Sequence, residues 1–200
     1  MRLLWSSRSP FVRKVMIVVH ELGAADRVQT ERVVVNPADP NPAVLRVNPL
    51  GKIPALILAD STALYDSGVI VEYLNVAFGG ALIPPSGEER WRVLTLQSLA
   101  DGLMEADLRW LEERRLPETE RRANMVAGMR AKIEACLDLL EDRVPDGVTI
   151  GSIATASALA HLDFRFADAP WRPRRPRLAA WFETFADRPS MRTTAFADQY

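Results

Sequence analysis

The first residues suited to chemistry are a serine and a proline near the amino terminus, Ser9-Pro10. Serine is a favoured helix N-cap and proline a favoured first helical residue, so a helix is predicted to begin here, after a short apolar strand. The free amides and the dipole of a helix N-terminus stabilise an anion. If that anion is a thiolate, the Ser9 hydroxyl can donate a hydrogen bond to it and lower the pKa of the thiol. A plain helix cap is the alternative interpretation.

A second candidate lies in the segment NPLGKIPAL, residues 48–56. Pro54 opens a predicted strand, where a proline is tolerated and can be cis. A cis bond would turn the amide and carbonyl of Ile53 toward solvent, where they could pair with an extended peptide ligand. Lys52 stands beside them and could meet a ligand carboxylate. The alternative is an ordinary loop with an exposed lysine.

The third candidate is Asp66-Ser67, directly before an amphipathic helix. Ser67 and the amides that follow it can hold a carboxylate, and Asp66 can meet an ammonium group, although either residue could simply cap the helix. Together the three segments offer a thiol site, a peptide-backbone site, and a carboxylate-plus-ammonium site. Glutathione carries one thiol, two carboxylates, one α-ammonium and amide links, so the chemistry of the three segments matches this tripeptide.

The elements that must position these segments follow from the spacing of apolar residues. The first 78 residues read as βαβ, an irregular proline-rich loop, and then ββα. Strands are predicted at 2–5, 30–35, 53–58 and 62–65, and helices at 10–22 and from about 67 to the Gly79-Gly80 pair. A Gly/Pro-rich connection at 79–87 is the predicted linker. Strand signals then vanish, and an all-α domain is predicted over 88–200, with helices at 91–115, 125–140, 152–167 and 177–188.

The segments SPFVRKV, NPLGKIPAL and LYDSGVIVEYL resemble bacterial glutathione transferases (GSTs) in order and spacing, and the domain plan resembles them over essentially the whole chain. The resemblance implies an α/β, thioredoxin-like βαβ-ββα domain followed by a C-terminal helical bundle. It implies that Ser9 aids the thiolate, that Ile53 pairs with the cysteinyl backbone, and that Lys52 lies near the glycyl carboxylate. The Asp66-Ser67 pair would hold the γ-glutamyl end. The implied glutathione-binding residues are Ser9, Phe11, Lys52, Ile53, Pro54, Asp66 and Ser67.

The residue at the thiol site decides the class of chemistry that is expected. Redox-active relatives place a cysteine where Ser9 stands, and Cys136 lies on an apolar helical stripe that is typical of a core residue. Thiol–disulfide exchange is therefore disfavoured. Since no tyrosine ends the first strand, the tyrosine-type classes are disfavoured too. Ser9 is preferred as the catalytic serine for its capping position, with Ser7 as the alternative in the same turn.

The resemblance implies a glutathione S-transferase that conjugates glutathione, as co-substrate, to a small hydrophobic electrophile. Met104 and Leu108, on the first helix of the bundle, are candidates for the electrophile pocket, although core packing explains them as well. One alternative function is a glutathione-dependent isomerase, similar to maleylacetoacetate isomerase. The other is a non-catalytic regulatory or binding protein. The family also implies a homodimer and a role in detoxification.

Composition excludes several other classes. Lys and Arg number 25 against 26 Asp and Glu, for a net charge of −1, which argues against nucleic acid as a partner. No apolar run approaches the ~20 residues of a membrane span. One cysteine and two histidines, His20 and His161, leave no plausible metal site and favour a reducing cytoplasm.

Three further expectations concern structure. His161 is predicted to be structural, because no acidic partner lies at a useful spacing. The basic segment RPRRPR, residues 172–177, is predicted to be a solvated connector. Ser152 is predicted to open a helix, with Thr155 where the resembling family often has the acidic residue of a capping box.

Overall fold

The computed structural model describes residues 1–198. Its contacts group the chain into two units, Met1–Pro84 together with the segment from Pro189 onward, and Pro85–Arg188. The predicted boundaries at 78, 87 and 200 do not include this return of the last residues to the first unit, because no local pattern announces it.

The helices and strands follow the predicted order. They are, in chain order, β1 (Arg2–Trp5), α1 (Pro10–Glu21), β2 (Gln29–Arg32), α2 (Pro42–Leu45), β3 (Ala55–Ile57), β4 (Ala63–Leu64), α3 (Ser67–Ala77), α4 (Gly87–Arg115), α5 (Ala123–Asp142), α6 (Ile150–Arg165), α7 (Pro176–Ala186) and α8 (Pro189–Thr193). The sheet order is β2-β1-β3-β4. β1 runs parallel to β2 and antiparallel to β3, and β3 runs antiparallel to β4. This is the predicted thioredoxin-like domain.

A compact apolar cluster joins the sheet to α1 in the first unit. Its members are Leu4, Val12, Val33, Val44, Ile53 and Ala55. Full burial of a side chain such as valine or isoleucine contributes about 1.5–3 kcal/mol, so this cluster fixes the position of α1 against β1 and β3. The residues next to the candidate site are thereby held by packing.

β2 ends earlier than the predicted strand at 30–35. Val33 still donates its amide to the Trp5 carbonyl at 3.0 Å and belongs to the apolar cluster, and Val35 packs against that cluster. The predicted irregular loop also contains the short helix α2, which Asn41 caps by accepting a hydrogen bond from the Ala43 amide at 2.9 Å. Pro42 follows as its first residue. The Asn-Pro pair is therefore a helix start rather than only a turn.

The second unit is the predicted all-α bundle, and α6 is its most buried helix. Gly151 of α6 lies so close to α4 that an added Cβ would come within 2.9 Å of Leu96. The prediction that Ser152 opens this helix is wrong, because Thr149 is the N-cap. The capping box joins Thr149 and Ser152, each accepting a hydrogen bond from the other's amide. Thr155 instead donates to the Gly151 carbonyl at 2.9 Å, one turn back.

The prediction that His161 lacks an acidic partner is also wrong. His161 on α6 and Asp107 on α4 are both fully buried, and the His161 Nδ1 lies 2.9 Å from an Asp107 carboxylate oxygen. The pair is separated by 54 residues in the sequence. Only the packing of α4 on α6 brings the two side chains together, so sequence spacing could not show it.

The basic segment at 172–177 is a solvated connector only in part, because most of its residues are exposed while Arg175 is buried. Arg175 is only 1% exposed. Its guanidinium donates to Glu134 at 2.7 Å and to Asp138 at 2.6 Å, both on α5. Arg172 pairs in the same way with Asp163 on α6. The arginines therefore fasten the segment to the bundle.

Two observations on the described residues concern membrane spans and metal sites. Within residues 1–198, no helix is long and apolar enough to cross a membrane. The same stretch contains no group of three or more His, Cys, Asp or Glu side chains that could hold a metal ion. Cys136 is half-buried, and this burial raises the pKa of its thiol.

Candidate functional site

Three chain segments meet at one end of the sheet. Leu4 pairs with Ala55, and Leu56 pairs with Leu64. The chain therefore leaves β1, enters β3 and leaves β4 at the same end. The three segments at that end, the turn at 6–9, the loop at 48–54 and the pair 66–67, are called here the three-loop site. The register thus brings together the three segments that the sequence singled out.

In the first segment Ser9 caps α1, as predicted. Its Oγ accepts a hydrogen bond from the Val12 amide at 3.3 Å, and Pro10 is the first helical residue. Accepting this bond leaves the Ser9 hydroxyl proton available for a ligand. Phe11 follows, half-buried. Ser7 is different, because its Oγ donates to the carbonyl oxygen of Ala197 at 2.8 Å.

In the second segment the Ile53–Pro54 bond is cis, as the sequence predicted. The paired part of β3 begins after it, at Ala55. Ile53 and Pro54 are buried, and Lys52 is exposed. Among the described residues, no carboxylate forms an ion pair with Lys52.

The loop before Ile53 is organised by Asn48, which sequence reasoning quoted but did not assign. Asn48 is 1% exposed, and its side chain donates to the Lys52 carbonyl at 2.8 Å and accepts from the Leu50 amide at 3.0 Å. Gly51 has φ +65, a conformation that glycine adopts readily. The Asn-Pro-x-Gly pattern is the signal that could have identified this turn.

In the third segment Asp66 caps α3, and its Oδ1 accepts from the Gly68 amide at 2.9 Å. The Tyr65–Asp66 bond is also cis, which no sequence pattern indicated. Asp66 is exposed, whereas Ser67 is only 2% exposed. Within residues 1–198 the Ser67 hydroxyl has no hydrogen-bonding partner. A hydroxyl that has no protein partner and lies beside helix amides suits a carboxylate.

The residues predicted for the electrophile both lie on α4. Met104 is fully buried, and Leu108 is half-buried. Leu108 is therefore the better placed of the two to touch a ligand. Trp110, two residues further on, stacks against Phe166, the residue that follows α6, with the ring centroids 4.1 Å apart. Packing within the bundle accounts for that tryptophan.

A feature that the sequence did not signal is a strap formed by residues 194–198. The Ala197 amide donates to the Ser7 carbonyl at 3.3 Å. Arg8 donates to the Asp198 carbonyl at 2.7 Å and pairs with its carboxylate at 3.2 Å. The strap therefore fastens the β1–α1 turn, although the residues of the strap are not part of the three-loop site.

Comparison with known proteins identifies the family. Residues 8–77 match the family described as glutathione S-transferase, N-terminal domain, and residues 97–184 match the corresponding C-terminal domain. The chain is also 34% identical to the uncharacterized GST-like protein YibF of Escherichia coli (strain K12), over 97% of this chain and 98% of that protein. The chain belongs to the glutathione S-transferase family.

Solved structures of GST relatives agree with this assignment. A glutathione transferase family member from Pseudomonas fluorescens Pf-5, with bound glutathione, is 40% identical, with a TM-score of 0.95 over 98% of each chain. Another structure of a family member from that organism contains S-(propanoic acid)-glutathione. It is 40% identical, with a TM-score of 0.90 over 98% of this chain and 100% of that one. The resemblance inferred from the three motifs is thus confirmed, while the serine-type assignment rests on Ser9 and stays a prediction.

Proposed function

We propose that this GST family member is a glutathione S-transferase, in which the three-loop site binds glutathione and Ser9 helps to ionise its thiol. The observation that carries the proposal is the strand register, which brings the turn of Ser9, the cis Pro54 loop and the Asp66-Ser67 pair to one end of the sheet. Family relatives solved with glutathione or a glutathione conjugate support the choice of ligand.

The proposed orientation of glutathione follows from the partners that are available. The γ-glutamyl carboxylate meets the Ser67 hydroxyl and the first amides of α3, and its ammonium meets the exposed Asp66 carboxylate. The cysteinyl backbone pairs with the amide and carbonyl of Ile53. Lys52 lies close to the glycyl carboxylate. Each charged end of the tripeptide thereby has a partner of opposite charge or a set of donors.

The thiol then lies at the N-terminus of α1. The Ser9 hydroxyl, which accepts from the Val12 amide, donates its own proton to the sulfur. The helix N-terminus adds favourable electrostatics. Lowering the thiol pKa by about two units requires about 2.7 kcal/mol, which one charge-assisted hydrogen bond and a helix terminus can share. The thiolate forms a C–S bond with the electrophile. In a substitution the leaving group departs with the electrons of the bond that breaks, and in an addition the π electrons move to the neighbouring carbon, which takes up a proton from water.

The electrophile is proposed to be small and hydrophobic, with the half-buried Leu108 lining its pocket and the fully buried Met104 packed in the core instead. The relative that carries S-(propanoic acid)-glutathione adds a specific candidate class, short unsaturated or halogenated carboxylic acids. We further propose a cytoplasmic homodimer with a role in detoxification, as in the family generally. Within that family, the isomerase function remains the second candidate.

Calorimetric titration with glutathione tests the binding step, and a panel of halogenated, epoxide, peroxide and unsaturated electrophiles, acrylate included, tests the chemistry. We expect saturable binding of glutathione and conjugate formation with at least one class of electrophile. Turnover of a maleyl compound to its trans isomer without conjugate formation would indicate the isomerase. Absence of binding at millimolar glutathione would remove both enzyme functions and favour a non-catalytic protein.

A further inference from the structure

A small cavity of about 80 Å³ lies within the first unit, between the start of α1 and the segment that leads into the strap. This is several times the ~10–15 Å³ that one buried water needs. The cavity shares only the alternative serine, Ser7, with the residues considered for glutathione. It is lined by Trp5, Ser6, Ser7, Arg13, Met16, His20, Thr193, Thr194 and Ala195.

The lining is rich in hydrogen-bond donors and contains no carboxylate. Two of its hydroxyls are already used, since Ser7 donates to the Ala197 carbonyl and Thr194 to the Ser190 carbonyl. The side chains of the wall that carry nitrogen donors are Arg13, His20 and Trp5. A cavity of this kind favours an occupant that accepts hydrogen bonds and carries negative charge.

Arg13 is the decisive residue. It is 8% exposed, and its Nη2 donates to the Met191 carbonyl at 3.1 Å. Its guanidinium lies over the ring of Phe196, 4.5 Å from the centroid. Its Nε is buried without an acceptor among the described residues, and within residues 1–198 it forms no ion pair with a carboxylate.

The contrast with the other deeply buried arginine is informative. Arg175 donates to two carboxylates of α5, at 2.7 and 2.6 Å, although its Nε, like that of Arg13, has no acceptor among the described residues. Arg13 has a carbonyl and an aromatic ring in their place, and burial lowers its pKa to about 10. At neutral pH it is still a cation, and a buried cation is stable only when paired or solvated. The missing negative charge is therefore expected in the cavity that Arg13 lines.

We propose that this cavity binds a small anion, of the class of chloride, nitrate or formate, with Arg13 as its main ligand. The volume admits an ion of a few heavy atoms. The bound anion neutralises Arg13 and joins the wall formed by Thr193 and Thr194 to the β1–α1 turn. It therefore stabilises the first unit, independently of any glutathione chemistry.

Thermal unfolding in chloride, nitrate, bromide or formate, at constant ionic strength made up with the bulky anion gluconate, tests the site. An anion at 100 times its Kd increases the folding equilibrium constant about 100-fold, so the melting temperature rises in a saturable manner. In Arg13→Gln, which keeps a side-chain donor and loses the charge, the anion response should be lost. The matched control is Arg92→Gln on α4, which removes an equal charge from a side chain that is 73% exposed. It should keep the full response.

A crystal of the wild-type chain grown in bromide provides a second measurement that does not require the variant to fold. The proposal expects an anomalous bromide peak within hydrogen-bonding distance of the Arg13 guanidinium. Water alone in the cavity would overturn it. An equal anion response in wild type and Arg13→Gln would overturn it as well, and so would a peak at crystal concentration with no saturable response in solution.

Discussion

Ser7 and Ala197, which are 190 residues apart in the sequence, are joined by two hydrogen bonds. The Ser7 hydroxyl donates to the Ala197 carbonyl at 2.8 Å, and the Ala197 amide donates to the Ser7 carbonyl at 3.3 Å. The hydroxyl proton of Ser7 is therefore already used in a hydrogen bond to the strap. The Ser9 hydroxyl only accepts, from the Val12 amide. This difference favours Ser9 over Ser7 as the serine that contacts the glutathione sulfur.

Replacing Ser9 should consequently raise the pKa of the bound glutathione thiol. Loss of one hydrogen bond to a charged group, about 1.5–3 kcal/mol, corresponds to a rise of about 1–2 units in Ser9→Ala. Ser9→Thr should restore most of the effect. Thiolate absorbance of the bound ligand as a function of pH measures it. An equal rise in Ser7→Ala would transfer the role to Ser7, and no rise in either variant would leave the helix amides as the source.

Asp66→Asn should weaken glutathione binding about tenfold, because one charge-assisted hydrogen bond to the γ-glutamyl ammonium becomes a neutral one. Asparagine keeps the helix cap, so α3 should persist. Asp60→Asn is the matched control. Asp60 accepts from the Thr62 amide at 2.9 Å, as Asp66 does from Gly68, but in the turn at the other end of β3 and β4. Calorimetry compares the two, and equal affinities would exclude a γ-glutamyl role for Asp66.

Arg175→Met should destabilise the second unit by about 3 kcal/mol. The change removes the buried cation from a pair of carboxylates, which costs about 3–5 kcal/mol in fully buried cases. The side chains of Glu134 and Asp138 are 43% and 59% exposed, so water can solvate them once the cation is lost. The expected loss of unfolding free energy therefore lies at the lower end of this range. Arg174→Met, at a side chain that is 71% exposed, should change the unfolding free energy by less than about 1 kcal/mol. Urea unfolding measures both, and similar losses would contradict the assigned anchoring role.

Asp107 should make the second unit less stable as the pH rises. Burial raises the pKa of this carboxyl, while its hydrogen bond to His161 and the nearby charge of Arg165 act in the opposite direction. Because the folded pKa lies above the unfolded value of about 3.9, its contribution to stability is complete below that pH. It is lost as the pH rises through the folded pKa. The unfolding free energy of wild type relative to Asp107→Asn should therefore fall between acidic and neutral pH.

Asp168 is a control for which stability is expected to change with pH in the opposite direction. A hydrogen bond from Arg114 lowers the pKa of this exposed carboxyl, so its contribution is present at neutral pH and is lost on acidification. The difference between wild type and Asp168→Asn should grow as the pH rises. Parallel slopes for the two variants would show that the pH dependence does not arise from the burial of Asp107.

Thr149→Ala should reduce the unfolding free energy by about 1 kcal/mol, the usual effect of losing a helix N-cap. The variant removes the acceptor of the Ser152 amide, which lies at 3.2 Å. Ser152→Ala should have a similar effect, because it removes the acceptor of the Thr149 amide at 2.8 Å. A double variant tests whether the pair acts as one box, in which case the losses should not add.

Local patterns were sufficient to predict most of the elements, although not α2 or α8, and to single out the three segments of the three-loop site. Ser9-Pro10 predicted the start of α1, and the Lys52 to Ala55 segment predicted a cis proline ahead of β3, because both signals depend on neighbouring residues. The apolar spacing of the second half likewise predicted a helical bundle. Each of these features is determined within a few residues or by one helical face.

Features formed between distant residues could not be predicted in this way. Asp107 and His161 meet only because α4 packs on α6, and Arg175 reaches α5 across about forty residues. The contact of Ser7 with Ala197 requires the chain to return from its last helix. The cap of α6 was misplaced for a different reason, because Thr149 and Ser152 are both good capping residues and only packing chooses between them.

The return of residues from Pro189 onward to the first unit has a consequence for biosynthesis. The sheet and α1 emerge early from the ribosome, yet α8 and the strap that fasten the β1–α1 turn are translated more than a hundred residues later. The nascent first unit must therefore wait with that turn unfastened until the whole helical unit has been made. The hydrogen bonds that fasten the turn can form only after Ala197 and Asp198 have been translated.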